Sequence, residues 1–294
     1  MTNWVQKLQA KTKDVGGIPV ARLLPQATRR TIGAWCFLDH AGPARFAADE
    51  AGMQVGSHPH CNLQTFTWML AGEVWHQDSL GNRQMIRPEQ VNLMTAGTGR
   101  EQGICHTEQT PEHVDTLHAV QLWIALPMNQ RIAASFHHYP ELPKWTEQGV
   151  DYILTTGKFG ERQAPTVQYS PLVGVDIKTQ TASRIALPQE ANFEYGVLVL
   201  SGSASINGEE ARADELLFWQ AREQVELELA TNSHVFFLGG EPLPHPTVMW
   251  WNFVADSKTA LREAVSDWNT GSARFGEIDL NGTTLSRLPA PPMP

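Results

Sequence analysis

Residues 55–72 read Val55-Gly56-Ser57-His58-Pro59-His60-Cys61-Asn62-Leu63-Gln64-Thr65-Phe66-Thr67-Trp68-Met69-Leu70-Ala71-Gly72 and decide the fold of the chain. The stretch opens with two histidines one residue apart and continues as a run rich in threonine and aromatic residues, which is typical of strands. Side chains alternate between the two faces of a strand, so His58 and His60 point to the same face. Pro59 lacks an amide proton and suits an edge strand or the start of a strand. Two imidazoles that share a face can both bind one metal ion.

A second histidine-containing stretch, residues 103–108, reads Gly-Ile-Cys-His-Thr-Glu. In an extended segment His106 and Glu108 also share a face, so they join His58 and His60 as four predicted metal ligands. Three neutral imidazoles and one carboxylate suit iron, nickel, copper, manganese or zinc, and contain too many nitrogen atoms for a calcium or magnesium site. On a six-coordinate ion these ligands leave two positions for water, dioxygen or a chelating substrate.

Other histidines have simpler explanations. His137 and His138 are adjacent, so in a strand they point to opposite faces, as expected for a pair at the surface. His118 lies in an apolar run and is predicted to be a histidine of the core or its rim rather than a fifth ligand. His76 and Asp78 share a face and are predicted either to support the ligands from behind or, for Asp78, to cap the turn that follows.

The cysteines are predicted to be structural. Cys61 adjoins His60 and Cys105 adjoins His106, so in strands both thiols point away from the metal site and pack as small apolar side chains. Three cysteines without a CxxC pair argue against a disulfide scaffold and for a reducing compartment. The N-terminus lacks the apolar core of a signal peptide, and no run has the length of a membrane span. We expect a cytoplasmic protein that does not bind a membrane.

The length and charge of the chain narrow its class. Its 294 residues, 41% of them hydrophobic, allow two β-domains, each with its own core. Charged residues make up 18% of the chain and the net charge is −9, without a basic stretch that would bind nucleic-acid phosphates. The sequence therefore predicts no direct binding to nucleic acid, and a partner would be a small molecule or another protein.

A connector rich in proline and polar residues, 127–143, is the candidate boundary between two domains. We predict an N-terminal barrel with the metal site over residues 1–135 and a C-terminal barrel over residues 136–294. The two halves contain a similar motif, since Met-Leu-Ala-Gly at 69–72 and Val-Leu-Ser-Gly at 199–202 each precede a hairpin.

The second repeat lacks the ligands of the first. When the two motifs are aligned, Pro188 and Glu190 stand where the first repeat has His58 and His60. We therefore expect one metal ion per chain, held in the N-terminal barrel.

The C-terminal region departs from the β pattern. The spacing of Leu261, Val265 and Trp268 predicts a short helix with Ser257 as its N-cap, and Asn-Thr-Gly at 269–271 ends it.

Seven motifs follow one another along the chain. They are Gly-Ser-His-Pro-His (56–60), Thr-Phe-Thr-Trp-Met-Leu-Ala-Gly (65–72), His-Gln-Asp-Ser-x-Gly (76–81), Met-Thr-Ala-Gly (94–97), Gly-Ile-Cys-His-Thr-Glu (103–108), Gln-Leu-Trp-Ile-Ala-Leu-Pro (121–127) and Gly-Gly-Glu-Pro-Leu (239–243). In this order they resemble the pirin family over nearly the whole chain. The resemblance implies an all-β fold of two cupin barrels, jelly-roll-like and stacked in one chain. It also implies one metal, usually iron and here expected as Fe(II), on His58, His60, His106 and Glu108.

The resemblance implies one of two functions. Some family members resemble quercetin 2,3-dioxygenases; the metal would then bind a flavonol-like aromatic substrate through adjacent oxygen atoms, and Glu108 would take up the proton of the substrate hydroxyl. Other members regulate transcription or bind metabolic enzymes, which implies a redox- or ligand-sensing protein that acts through protein partners. A third hypothesis is a structural protein whose metal site has lost its function.

Three departures from the family pattern lie beside the ligands. Cys-Asn-Leu-Gln at 61–64 replaces Arg-Gly-Phe-Glu, and the segment 98–102 is longer than is usual. Gln64 occupies a position where many cupins have a glutamate, and the alternation that starts at His58 predicts it on the metal-facing side. These departures bear on the substrate more than on metal binding.

Overall fold

The computed structural model describes residues 4–47 and 49–293. This part of the chain consists mostly of β-strands, with one α-helix and one short 3₁₀ helix near its C-terminal end, which confirms the predicted all-β class. The first strands are β1 (Gln6–Gln9), β2 (Lys11–Val15), β3 (Ile18–Leu24), β4 (Trp35–Arg45), β5 (Gln54–His60), β6 (Leu63–Ala71), β7 (Val74–Asp78), β8 (Arg83–Ile86), β9 (Val91–Thr95), β10 (Ile104–Gln109), β11 (Thr116–Ala125) and β12 (Ser135–Tyr139). The later elements are β13 (Lys144–Glu147), β14 (Val150–Thr156), β15 (Lys158–Phe159), β16 (Arg162–Gln163), β17 (Leu172–Thr179), β18 (Ser183–Ala186), β19 (Glu194–Ser201), β20 (Ser203–Ile206), β21 (Glu209–Arg212), β22 (Glu215–Gln220), β23 (Glu226–Leu229), β24 (Ser233–Gly240), β25 (Val248–Trp250), β26 (Phe253–Ala255), helix α1 (Lys258–Asn269) and the 3₁₀ helix Ala273–Phe275.

Residue contacts divide the chain into two compact units that are assembled from separated segments. We call them the aromatic unit, which comprises residues 1–12, 21–40 and 139–243, and the histidine unit, which comprises residues 13–20, 41–138 and 244–294. Each unit takes residues from both of the predicted stretches, 1–135 and 136–294. The N-terminal strand β1 pairs with β22 within the aromatic unit, and the C-terminal segment after residue 243 belongs to the histidine unit.

The histidine unit is built around two sheets. Their strand orders are β5-β10-β7-β8 and β12-β9-β6-β11-β4-β3-β2, and the division between the units passes within β2, β3 and β4. Strands β5 and β6, which contain most of residues 55–72, are buried along nearly their whole length. A strand that is buried on both faces can present a site on one face and pack in the core with the other. Strand β5 is such a strand.

The aromatic unit has a filled interior. Its main sheets have the orders β1-β22-β19-β24-β17-β14-β13 and β18-β23-β20-β21. Tyr195 stacks on Trp219 and on Phe237, with ring centroids 5.6 and 5.5 Å apart. Asn207 and Gly208 both have positive φ angles between β20 and β21, so the predicted Asn-Gly hairpin is confirmed.

Within the histidine unit, helix α1 packs through the face that its sequence predicted. The side chain of Ser257 caps the helix by accepting a hydrogen bond from an amide of the first turn. Leu261 and Trp268 are buried in one cluster with Cys61 and Cys105, so both thiols lie in apolar packing as predicted. No helix among the described residues combines the length and the apolar character that crossing a membrane requires.

Candidate metal centre

Adjacent strands β5 and β10 bring three of the predicted ligands together. The strands pair antiparallel with His58 directly opposite His106, and His60 lies two positions further along the same face. Within residues 4–47 and 49–293 these three histidines form the one group of three or more His, Cys, Asp or Glu side chains able to hold a metal, with all ligand atoms within 4.8 Å of one another. All three side chains are buried.

Hydrogen bonds fix the proton positions on two of the rings. The Nδ1 atom of His58 lies 2.8 Å from the carbonyl oxygen of Gly56, and the Nδ1 atom of His60 lies 3.1 Å from the carbonyl oxygen of Asn252. A carbonyl oxygen only accepts, so both Nδ1 atoms carry a proton and donate it. In a neutral imidazole the other nitrogen then has a free lone pair, which leaves Nε2 of both rings available to a metal.

Burial keeps the three imidazoles uncharged at neutral pH. It lowers the pKa of His58 to about 4, and it lowers the pKa values of His60 and His106 well below the usual range. Repulsion from neighbouring histidines adds to this effect, because a positive charge on one ring disfavours a second charge nearby. A metal ion binds the neutral form of imidazole, so the three side chains are already in the form that can bind a cation.

The spacing of the rings fits one divalent metal ion. The Nε2 atoms of His60 and His106 lie 3.1 Å apart. Imidazole nitrogen binds zinc at about 2.0–2.1 Å, so two ligands at right angles on such an ion lie roughly 3 Å from each other. The ring centroid of His58 is 5.1 Å from that of His60 and 4.3 Å from that of His106, so the third imidazole borders the same point.

Glu108 lies on the same strand but outside this group of ligand atoms. It is opposite His76 of β7, and a register shift between His106 and Glu108 marks a β-bulge in the pairing with β5. The side chain is half-buried, and burial raises the pKa of its carboxyl because desolvation disfavours the anion. The structure thus brings three of the four predicted ligands together, and ligation by Glu108 stays a prediction.

His76 and Asp78 lie behind His106. Nδ1 of His76 is 3.3 Å from Nδ1 of His106, and Nε2 of His76 is 3.1 Å from Oδ2 of Asp78. The other carboxylate oxygen accepts hydrogen bonds from the backbone amides of Leu80 and Asn82. Burial alone would raise the pKa of Asp78, but the hydrogen bonds from His76 and Asn82 outweigh it and lower this pKa. Asp78 therefore caps the following turn, as predicted, and it contacts His76 behind His106.

Gln64 lies on the face of β6 away from the metal site, so our prediction for it was wrong. Thr65 is paired with Trp123 of β11, whose ring contacts that of His60, so Thr65 faces the site and Gln64 the opposite side. The alternation predicted from β5 fails because that strand ends at His60. Asn62 then adopts a left-handed backbone conformation, with φ of 57°, before β6 begins in the other sheet.

Two aromatic side chains that the sequence did not single out border the histidines. Trp123 meets His60 edge to face at a centroid distance of 5.1 Å, and Phe136 stacks on His76 at 4.6 Å. The supporting carbonyl of Asn252 was also missed. It is 192 positions from His60 in the chain, and no local pattern predicts such a contact.

Comparisons with known proteins cover nearly the whole chain. The Pirin family model matches residues 17–124, and the model of the Pirin C-terminal cupin domain matches residues 174–276. A protein of Pseudomonas aeruginosa that carries quercetin 2,3-dioxygenase as a provisional name is 49% identical over 99% of this chain and 91% of its own length. A pirin-like protein of Caulobacter vibrioides is 35% identical over 92% of this chain and 94% of its own length.

Solved structures confirm the fold of two cupin domains. The crystal structure of a quercetin 2,3-dioxygenase from Acinetobacter baumannii matches with a TM-score of 0.93 and 43% identity, over 99% of this chain and 96% of the other. A bacterial pirin from Escherichia coli in complex with nickel(II) shares the fold at a TM-score of 0.65 and 19% identity, over 81% of this chain and all of the other. Since the family models match both halves and the relatives align along almost the full length, the chain belongs to the pirin family.

Proposed function

We propose that this chain is a metal-dependent oxygenase of the quercetin 2,3-dioxygenase type, with one divalent metal ion bound by His58, His60 and His106. The observation that carries the proposal is the convergence of three uncharged, buried imidazoles, two of whose Nε2 atoms lie 3.1 Å apart. The Pseudomonas and Acinetobacter relatives, at 49% and 43% identity, carry the name of this enzyme. We propose Fe(II) as the metal, with nickel, copper and zinc as alternatives that also favour imidazole ligands, and with manganese as an alternative that favours the carboxylate of Glu108.

Glu108 is the residue that we assign to proton transfer and to the fourth ligand position. When bound, a divalent metal would supply Lewis acidity and a template for the substrate. Glu108 shares the metal-facing side of β10 with His106. Burial raises the pKa of its carboxyl, which helps this group to hold the proton that a flavonol hydroxyl gives up on binding.

The surroundings of the site favour a flat aromatic substrate. Trp123 places an aromatic ring beside His60. Aromatic surfaces bind planar rings and exclude water from the reacting atoms. A flavonol offers a fused ring system with a hydroxyl and a carbonyl oxygen on adjacent carbon atoms, which together can chelate one ion.

Metal-free protein reloaded separately with each of the five metals tests this function. Metal content is measured by elemental analysis, and oxygen uptake is followed with quercetin as substrate. We expect one metal ion per chain and the uptake of one dioxygen molecule per flavonol consumed, both lost in His60→Ala. The matched control is His234→Ala, which removes a histidine paired with Asp176 in the aromatic unit and should change neither quantity.

The two ways in which this proposal can fail are separate. Metal binding without flavonol turnover for any of the five metals would overturn the oxygenase and favour the alternative, a redox- or ligand-sensing protein that acts through a protein partner. A protein that binds none of the metals would overturn the metal centre itself.

We also propose that the protein works in the cytoplasm. Its three cysteines are free and buried, which suits a reducing compartment. A thiol count on protein extracted under denaturing, alkylating conditions should find all three cysteines reduced.

A further inference from the structure

We propose that Asp78 and His76 are positioning residues that hold the proton of His106 on Nδ1 and so direct its Nε2 atom at the metal. The proposal rests on the metal site of the proposed function and holds whatever the substrate is. The three side chains form one line of contacts, from Asp78 Oδ2 to His76 Nε2 at 3.1 Å and from His76 Nδ1 to His106 Nδ1 at 3.3 Å.

Asp78 is the fixed end of this line. Its Oδ1 accepts from the backbone amides of Leu80 and Asn82 at 2.9 and 3.1 Å, and the side-chain amide of Asn82 lies 3.0 Å from both carboxylate oxygens. His76 approaches Oδ2. Donors therefore surround both oxygens of Asp78. A proton on the carboxyl would point at the hydrogen of one of these donors, so Asp78 is ionised and only accepts hydrogen bonds.

Because Asp78 only accepts, it determines which nitrogen carries the proton first in His76 and then in His106. The contact with Asp78 requires a proton on Nε2 of His76. In the neutral form of His76 the Nδ1 atom is then an acceptor, and its contact with His106 requires the proton of His106 to sit on Nδ1. Nε2 of His106 is left with a lone pair, and this is the atom that faces Nε2 of His60.

The register of the sheet holds the line in place. Strand β7 pairs with β10 so that Asp78 is opposite His106 and His76 is opposite Glu108, which puts all four side chains on one face. Phe136 stacks on His76 with an angle of 19° between the rings, which fixes the plane of the imidazole. His76 supports His106 and is not itself a ligand, because it contacts the ring nitrogen on the far side from Nε2.

His106 differs in this respect from the other two ligands. His58 and His60 donate to the backbone carbonyl oxygens of Gly56 and Asn252. The line behind His106 ends in a negative charge, and a carboxylate behind a ligating imidazole makes the ring a stronger donor to the metal. Because this support comes from side chains, a substitution can reverse the direction of its hydrogen bonds.

The substitution Asp78→Asn should reverse the direction of these hydrogen bonds, while the side chain keeps almost the same shape. The asparagine oxygen can keep the hydrogen bonds from the amides of Leu80 and Asn82, which turns its NH₂ group toward His76. His76 must then accept at Nε2 and donate from Nδ1, and the proton of His106 must move to Nε2, where it blocks the metal-binding atom. We expect the Kd for Co(II) to rise by about 10–100-fold, the usual effect of losing such a partner.

Two measurements test this without any enzymatic turnover. Nitrogen–hydrogen NMR correlations of ¹⁵N-histidine-labelled, metal-free protein, at about pH 8 where a free imidazole is neutral, report the tautomer of each ring. We expect the proton of His106 on Nδ1 in the wild type and on Nε2 in Asp78→Asn. Titration with Co(II), followed by its visible absorption, gives the Kd and shows a change in the ligand field.

Three further variants separate positioning from packing. His76→Phe keeps a ring against Phe136 but removes the acceptor, so the Co(II) Kd should rise as in Asp78→Asn. His76→Asn places an amide oxygen near the former Nδ1 and should restore much of the affinity. Asp176→Asn is the matched control, because it alters a histidine–carboxylate pair of the aromatic unit and should leave the Kd unchanged.

The proposal is overturned if wild-type His106 carries its proton on Nε2, or if Asp78→Asn and His76→Phe both keep the wild-type Kd. These results differ from a failure of the proposed function, in which the wild-type protein binds Co(II) and responds to the variants but never turns over a flavonol. A wild-type protein that binds no metal would overturn both.

Discussion

The side-chain amide of Gln64 donates a hydrogen bond to Oγ1 of Thr95 at 3.0 Å, and both side chains are almost fully buried. This pair links β6 to β9 on the face of the sheet that points away from His60. The amide therefore stabilises the packing between the two strands on the side of the sheet opposite the histidines.

We expect Gln64→Glu to destabilise the protein and to leave metal preference unchanged. A glutamate at this position must either bury a charge or stay protonated, which costs about 1–3 kcal/mol. Urea unfolding gives the free energy, and competition between Fe(II), Ni(II) and Zn(II) gives the preference. An altered metal preference with unchanged stability would place residue 64 on the metal side after all.

His60→Ala should lower metal affinity steeply while the fold survives. The variant removes one of three converging imidazoles, and because even the loss of an outer partner costs 10–100-fold, we expect a Kd more than about 100-fold higher. Calorimetric titration measures the affinity, and circular dichroism measures the fold. Global unfolding of the metal-free variant would show that the histidine cluster is structural.

Glu108→Gln separates the two roles proposed for this residue. Loss of a group that takes up the substrate proton should reduce kcat by about 10²–10⁴-fold, since the amide cannot accept a proton. Metal content and kcat are measured on the same preparation. Wild-type kcat at full metal loading would show that Glu108 does neither task, whereas loss of metal alone would identify it as a ligand only.

Trp268→Ala should loosen the packing of helix α1 against β25 and β26. Trp268 is buried, and its Nε1 donates to the carbonyl oxygen of Leu288 at 2.7 Å. Truncation of a buried tryptophan costs about 3–5 kcal/mol. We also expect Cys61 and Cys105, which belong to the same cluster, to react faster with a thiol reagent. Trp145→Ala, at a half-buried position of the aromatic unit, is the control and should leave the thiol rate unchanged.

Tyr152 and Tyr195 should ionise about two pH units later than a free tyrosine. Burial raises the pKa of both to about 12. The charge of Glu147 adds to this at Tyr152, whereas at Tyr195 the hydrogen bond from the backbone amide of Glu190 opposes it and the charge of Glu190 adds a smaller rise. Because the folded pKa values exceed the unfolded value of about 10, the stabilisation is complete below about pH 10 and is lost as the pH rises toward 12. Absorbance titration of the phenolate should show two of the four tyrosines ionising late. Ionisation of all four near pH 10 in the folded protein would contradict this.

Strand alternation predicted the site as far as single strands run without interruption. His58 and His60 share a face within β5, and His106 lies opposite His58 on β10, because nothing breaks the period between them. The same rule failed four residues later at Gln64. There one residue with a positive φ, Asn62, ended the alternation, and the chain continued in another sheet.

The supports of the site could not be predicted in this way. Trp123 reaches His60 only through the register of β11 on β6, and Asn252 reaches it across 192 positions of sequence. Such contacts depend on which strands pair and in which register. That choice is made by the packing of whole sheets and leaves no mark in the residues beside each contact.

Each unit combines segments from early and late in the sequence, so its parts become available at different times during synthesis. Synthesis starts at the N-terminus. His58, His60 and His106 therefore leave the ribosome before residues 244–294 are synthesised. Until that segment arrives, the ring of His60 lacks its carbonyl acceptor, and Cys61 and Cys105 lack the cover of helix α1. A chain that stopped before residue 244 would therefore leave the ring of His60 and both thiols without these contacts.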